Sequence, residues 1–141
     1  MNANGNDAKA NEANRKKGML WGLVVGDCLG SPIQFSGKDA HPWITEMVEC
    51  PVFRLPPGYW TDDSSMAMCV MDSYVRKGGY DLKDIGETFV RWYSKGYLSS
   101  VEGRSFDVGG ATADAMLGIR RGRLVNGSEN SQGNGSIMRF A

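Results

Sequence analysis

Apolar residues in the middle of the chain recur at helical spacing. Ala67, Val70, Met71, Tyr74 and Val75 share one face of a run that opens at Asp63, and Gly78-Gly79 supplies its stop. A second such run is predicted from near Asp81 to near Gly96, with Leu82, Ile85, Phe89, Trp92 and Tyr93 as its buried stripe. A shorter helix is predicted around Ala111 to Arg121, where Ala111, Ala115 and Ile119 lie four apart behind the turn Asp107-Val108-Gly109-Gly110. Its N-terminus could face an anion. No long strand pattern or internal repeat competes with these periods, so the chain is expected to be all-α.

The flanking segments follow other patterns. Residues 1–17 are rich in Asn, Ala and Lys without an apolar period and are expected to form a disordered polar leader, with the folded portion occupying 18–141. Gly18, Gly22, Gly26 and Gly30 then recur every fourth residue, which on a helix makes one narrow stripe without side chains. Interior glycines cost a helix about 1 kcal/mol each relative to Ala, so close packing against a neighbouring helix is the expected compensation, with a ligand against the backbone as the alternative. From Ser31 to Tyr59 all five prolines of the chain break any period, and so long a loop is read as a flap over a site. The last stretch, Leu124 to Ala141, contains Gln132-Gly133-Asn134-Gly135-Ser136. If Ser136 opens a helix, the amides of that turn would cradle phosphate or ribose oxygens; a flexible connection is the simpler alternative.

Composition narrows the function classes. The 141 residues carry 16 Lys+Arg against 16 Asp+Glu, so there is no net field to draw nucleic acid or an anionic membrane. Cys28, Cys50 and Cys69 are odd in number and form no Cys-x-x-Cys pair, as expected of reduced core thiols in a cytosolic protein. The apolar stretch Met19 to Val25 is too short to span a bilayer, and the expected localisation is cytoplasmic or nuclear. His41 is the single histidine and precedes Pro42, which reads as a loop position, so a Ser-His-acid or Cys-His mechanism has one place to find its base.

The densest candidate chemistry lies in Gly58-Tyr59-Trp60-Thr61-Asp62-Asp63-Ser64-Ser65, where two carboxylates and three hydroxyls precede a helical run. Magnesium, manganese and calcium prefer such oxygens. The same residues are ordinary helix caps, and acids in a first turn suit the helix dipole, so local pattern leaves both readings open. Cleavage of an N- or O-glycosidic bond at a ribose C1 develops positive charge on the sugar, which suits adjacent carboxylates and a metal-oriented water and needs no histidine.

Four collinear segments between Gly18 and Ala141 together resemble the ADP-ribosylglycohydrolase family, whose founding type removes ADP-ribose from arginine on dinitrogenase reductase. Gly26-Asp27-Cys28-Leu29-Gly30-Ser31-Pro32 is similar to its Gly-Asp-x-x-Gly signature, and Thr61-Asp62-Asp63-Ser64 to its metal-binding Thr-Asp-Asp-Thr/Ser. Asp107-Val108-Gly109 is similar to its Asp-Ile-Gly, and Gly133-Asn134-Gly135-Ser136-Ile137-Met138-Arg139 to its Gly-Asn-Gly-Ser-Leu-Met-Arg. The resemblance implies an orthogonally packed helical bundle with two divalent ions, magnesium or manganese, in a cleft. It implies Thr61, Asp62 and Asp63 as metal ligands, with Asp62 and Asp63 at the catalytic centre. It also implies Asp107, Gly109, Gly133, Asn134, Gly135 and Ser136 in the ADP-ribose site. The expected substrate is an ADP-ribosylated protein or an ADP-ribose-containing small molecule.

Two departures shape the expectation. The family carries a second acidic cluster near its C-terminus, which does not occur after Asp63 here, so the chain reads as an N-terminal half. Three ligands from one segment leave much of an octahedral magnesium shell to water, so weak metal binding is expected. Gln34, in Ser31-Pro32-Ile33-Gln34-Phe35, stands where several members have a flap glutamate; an amide cannot act as general acid or base but can bond water or a ribose hydroxyl. The expected function is therefore a metal-dependent ADP-ribosyl hydrolase. Its alternative is a truncated, non-catalytic fragment that binds ADP-ribose or a partner.

Overall fold

The computed structural model describes residues 3–139, with side chains from Asp7 onward. Among them the chain is all-α: α1 spans Ala3–Gly30, α2 Asp62–Lys77, α3 Leu82–Lys95 and α4 Gly110–Arg120, followed by a single 3₁₀ turn, Ile137–Arg139. The only extended pairing among the described residues is an isolated bridge between Cys50 and Leu55 in the proline-rich loop.

The helix ends obey their local chemistry. Asp62 and Asp63 occupy the first turn of α2 and Arg76 and Lys77 its last, each matching the sign of the helix dipole, and Gly78 closes it in the left-handed region at φ 67°. Asp81 caps α3 by accepting from the Asp84 amide at 3.0 Å. Gly96 closes α3 at φ 64°, where a Cβ would run into the backbone of Arg104, so the turn requires glycine twice over.

Met66 and Cys69 of α2, Ile85, Phe89 and Trp92 of α3, and Met116 of α4 form the buried core, with Met138 packed against it from the 3₁₀ turn. The α3 stripe is as expected at Ile85, Phe89 and Trp92, whereas Leu82 is exposed. The α2 face differs from expectation. Tyr74 and Val75 are 52% and 82% exposed, and the buried face instead runs through Asp62, Ser65, Met66, Cys69 and Ser73. Ala67 is buried and Val70 packs against the core as expected, while Ser65 joins the buried face by satisfying its hydroxyl on the Thr61 carbonyl at 2.8 Å, so hydropathy alone shows only part of that face. Across the exposed edge of this pair, Arg76 donates to Asp72, Asp84 and Thr88, holding the Asp84 carboxyl down at about 2.

α1 departs from two expectations. Residues 3–17, read as a disordered leader, form the first half of this helix; residues 1 and 2 lie outside the described residues. Residues 7–18 are exposed throughout, in keeping with their missing apolar period. Good helix formers and the Glu12–Lys16 pair at 2.6 Å favour the helical form without burial. The glycine stripe is also not packed as expected: a Cβ on Gly18, Gly22, Gly26 or Gly30 would meet nothing within 4 Å. α1 meets the start of α2 through Asp27, while Cys28 and the following Ser31 bond to Gly58 and Cys50 of the proline-rich loop.

Candidate active site

The site begins at the entrance to α2. Thr61, its N-cap, has an extended backbone but makes no side-chain cap bond. The cap comes instead from Asp27, near the end of α1. Its Oδ2 accepts from the Thr61 amide at 2.9 Å, the Ser64 amide at 3.1 Å and the Ser64 hydroxyl at 2.6 Å. Its Oδ1 accepts from the Thr61 hydroxyl at 2.8 Å. Both hydroxyl residues are fully buried, so these bonds have no water to compete with them. One carboxylate thereby fixes the direction in which Asp62 and Asp63 leave the helix start.

Asp62 and Asp63 face a cavity of about 330 Å³ whose wall also includes Gln34, Asp107, Gly109, Gly133, Asn134 and Gly135. Nearly every residue singled out from the motifs is thus brought to one place from four separate segments. Thr61 lies behind the wall, bonded to Asp27. Ser136 is the exception, lining a neighbouring depression beside Arg139. It precedes a 3₁₀ turn rather than opening a helix, so the cradle expected there is made by Gly133 to Gly135 against the first turn of α4. Gly133 sits so close that an added Cβ would lie 2.7 Å from the Ala111 Cβ.

Carboxylates and a helix N-terminus border this cavity together. Burial pushes the Asp62 carboxyl up to about 8, reinforced by the charges of Asp107 and Asp63. Asp63 is raised first by burial and then by Asp27 and Asp107, against a lowering bond from Thr61. Asp107 is raised by burial, against the donated bond from Gln34 Nε2 at 2.7 Å. Asp107 also holds a left-handed backbone at φ 57°, uncommon for a residue with a side chain and characteristic of strained functional positions. Just after Asp107, α4 starts at Gly110 with no acid in its first turn, and that turn borders the cavity. Arg139 is desolvated by burial, which lowers its pKa, while the charge of Asp62 opposes that shift.

The residues that would hold a hard divalent cation are oxygen donors: the carboxylates of Asp62, Asp63 and Asp107 around the cavity and the Thr61 hydroxyl, 3.4 Å from Asp63 Oδ2. No three His, Cys, Asp or Glu side chains among the described residues converge closely enough to hold an ion unaided. His41 lies exposed on a separate depression that includes Trp43, outside this cavity. Phe35 joins the cavity wall unforeseen by any motif, backed by Phe53 at 6.2 Å, which in turn packs on Phe106 at 5.3 Å. The loop from Ser31 thus reaches the site through Gln34 and Phe35, while Glu49 to Pro56 line a different surface.

Comparison with known proteins decides the family. The family model for ADP-ribosylglycohydrolase matches residues 8–141. The chain belongs to the ADP-ribosylglycohydrolase family. It is 43% identical over 130 residues to ADP-ribosylarginine hydrolase Tri1 of Pseudomonas putida, covering 90% of this chain and 34% of that protein. It is 34% identical over 135 residues to the ADP-ribosyl-[dinitrogen reductase] glycohydrolase of Rhodospirillum rubrum, covering 89% of this chain and 42% of that one. A solved ADP-ribosylglycohydrolase-related protein complex superposes with a TM-score of 0.71 at 35% identity, over 87% of this chain and 39% of its own. The ADP-ribosylglycohydrolase chain described here therefore spans about a third of the length of the first of these relatives. None of its described helices is long and apolar enough to cross a membrane.

Proposed function

We propose that this chain supplies Thr61, Asp62 and Asp63 to a magnesium- or manganese-dependent hydrolase that releases ADP-ribose from modified arginine. The observation that carries the reading is the meeting of three carboxylates, Asp62, Asp63 and Asp107, with the N-terminus of α4 around a single cavity. A substrate with a ribose at one end and a diphosphate at the other offers a group to each. The named activity of two relatives, hydrolysis of an ADP-ribosylated arginine or protein, supports the substrate class.

Each of these elements has a defined part. The amides at the start of α4 and the Gly133 to Gly135 backbone bind phosphate and ribose oxygens, with Asn134 and Gly109 shaping the turn. Asp63, and Asp62 when a cation draws off its proton, would place negative charge beside C1, where positive charge develops as the glycosidic bond breaks. A water oxygen bonds to C1 while the leaving nitrogen or oxygen keeps the electron pair and takes up a proton. Thr61, Asp62 and Asp63 would hold a divalent cation, which would supply further charge stabilisation and a more acidic water. Gln34 orients Asp107 and the substrate edge rather than moving a proton.

A second reading has its own support. Because the described carboxylates do not enclose an ion unaided, the chain by itself can serve as a module that binds ADP-ribose without hydrolysing it. Incubation of the chain with an ADP-ribosylarginine peptide and magnesium, followed by mass spectrometry, separates the two. Release of ADP-ribose that stops in Asp62→Ala supports the hydrolase, and binding without release supports the module.

A further inference from the structure

We propose that Asp27 is a positioning residue that frees the Thr61 oxygen to serve as a ligand, an inference that rests on the metal-binding reading above. An N-cap threonine ordinarily spends its side-chain oxygen on an amide two or three residues into the helix. Here Asp27 accepts from that amide, Ser64 N–H, at 3.1 Å, and Thr61 makes no cap bond at all. The Thr61 hydroxyl has one proton, and the nearer acceptor is Asp27 Oδ1 at 2.8 Å rather than Asp63 Oδ2 at 3.4 Å. An ionised carboxylate is acceptor-only, so the proton points at Asp27 and the oxygen lone pairs point toward Asp63. Thr61 is only 1% exposed, so no solvent is at hand to turn the hydroxyl round. Two oxygens with free lone pairs then lie 3.4 Å apart, close to the roughly 3 Å that separates adjacent oxygens on one octahedral cation. Asp27 thus does two jobs with its two oxygens: Oδ2 caps α2 from a different helix, and Oδ1 sets the polarity of a ligand.

Asp27→Asn tests the second job apart from the first. The amide oxygen still accepts from the Thr61 and Ser64 amides, while its NH₂ donates into the Thr61 oxygen and reverses that hydroxyl. The expected result is a loss of about tenfold or more in Mn²⁺ affinity by isothermal titration, with the melting temperature and the hydrogen-exchange protection of the Thr61 and Ser64 amides retained. Thr61→Val removes the same ligand by a different route, and the double variant is expected to bind no more weakly than either single one. Wild-type Mn²⁺ affinity in folded Asp27→Asn overturns the positioning role alone. If Asp27→Asn does not fold, undiminished affinity in Thr61→Val overturns it instead. Absence of Mn²⁺ binding by the unaltered chain overturns the metal reading and this inference with it.

Discussion

Gln34 donates through Nε2 to Asp107 Oδ2 at 2.7 Å, joining the start of the proline-rich loop to the turn before α4 across seventy-three residues of sequence. That bond ties one edge of the cavity to the strained Asp107 backbone. Gln34→Ala is expected to cost about 0.5–1.5 kcal/mol and to raise hydrogen exchange from Phe35 onward. Gln34→Glu sets a second carboxyl against Asp107, so the loop should be looser at neutral pH and tighten in mild acid, where the two share a proton. Exchange measured by mass spectrometry at the two pH values checks both.

The floor of the cavity depends on a glycine. Because a Cβ at Gly133 would lie 2.7 Å from that of Ala111, Gly133→Ala must lift the loop off α4. The expected outcome is about tenfold weaker ADP-ribose binding with little change in melting temperature, since the loop contributes no residue to the buried core.

Stability should depend on Asp62. Its carboxyl rises from an ordinary 3.8 to about 8 on folding, chiefly through burial and then through Asp107 and Asp63. The folded state therefore holds the proton where the unfolded state has released it, and stability falls as pH rises between those two values. At the upper end of this window without divalent ions, Asp62→Asn should be more stable than the unaltered chain by about 1–3 kcal/mol. Below the unfolded value the difference should vanish. Denaturant melts across the window test the sign.

Met116 anchors the helix whose N-terminus borders the cavity, and it is 1% exposed. Met116→Ala is expected to cost about 2–5 kcal/mol. ADP-ribose affinity should fall with it, because α4 then loses a core contact that holds it in place.

Residues whose meaning is chemical were the more legible part of this sequence. Asp62, Asp63, Asp107 and Gly133 to Gly135 share a motif order that no single helix period predicts, and the structure gathers them in one cavity. The helix boundaries at Gly78 and Gly96 were equally readable, because a left-handed stop needs glycine. The buried face of α2 was readable only at Ala67 and Val70, since Ser65, Cys69 and Ser73 are buried by shape and, at Ser65, by a hydrogen bond that hydropathy does not score. The helical form of residues 3–17 escaped because a helix can be favoured by propensity alone, without an apolar face to betray it. Phe35 carries a signal only when its long-range partners are known, and Asp27, though part of the Gly-Asp-x-x-Gly match, shows its role only through residues thirty-four and thirty-seven positions away.

The central claim, that the Thr61 to Asp63 turn binds a divalent cation and through it ADP-ribose, is tested most directly by calorimetric titration. Mn²⁺ is titrated into the chain, and ADP-ribose follows with and without the ion. The account predicts saturable Mn²⁺ binding that vanishes in the Asp62→Ala/Asp63→Ala double variant, and ADP-ribose binding that strengthens when the ion is present. Mn²⁺ binding that is absent, or that survives the double substitution unchanged, would contradict it.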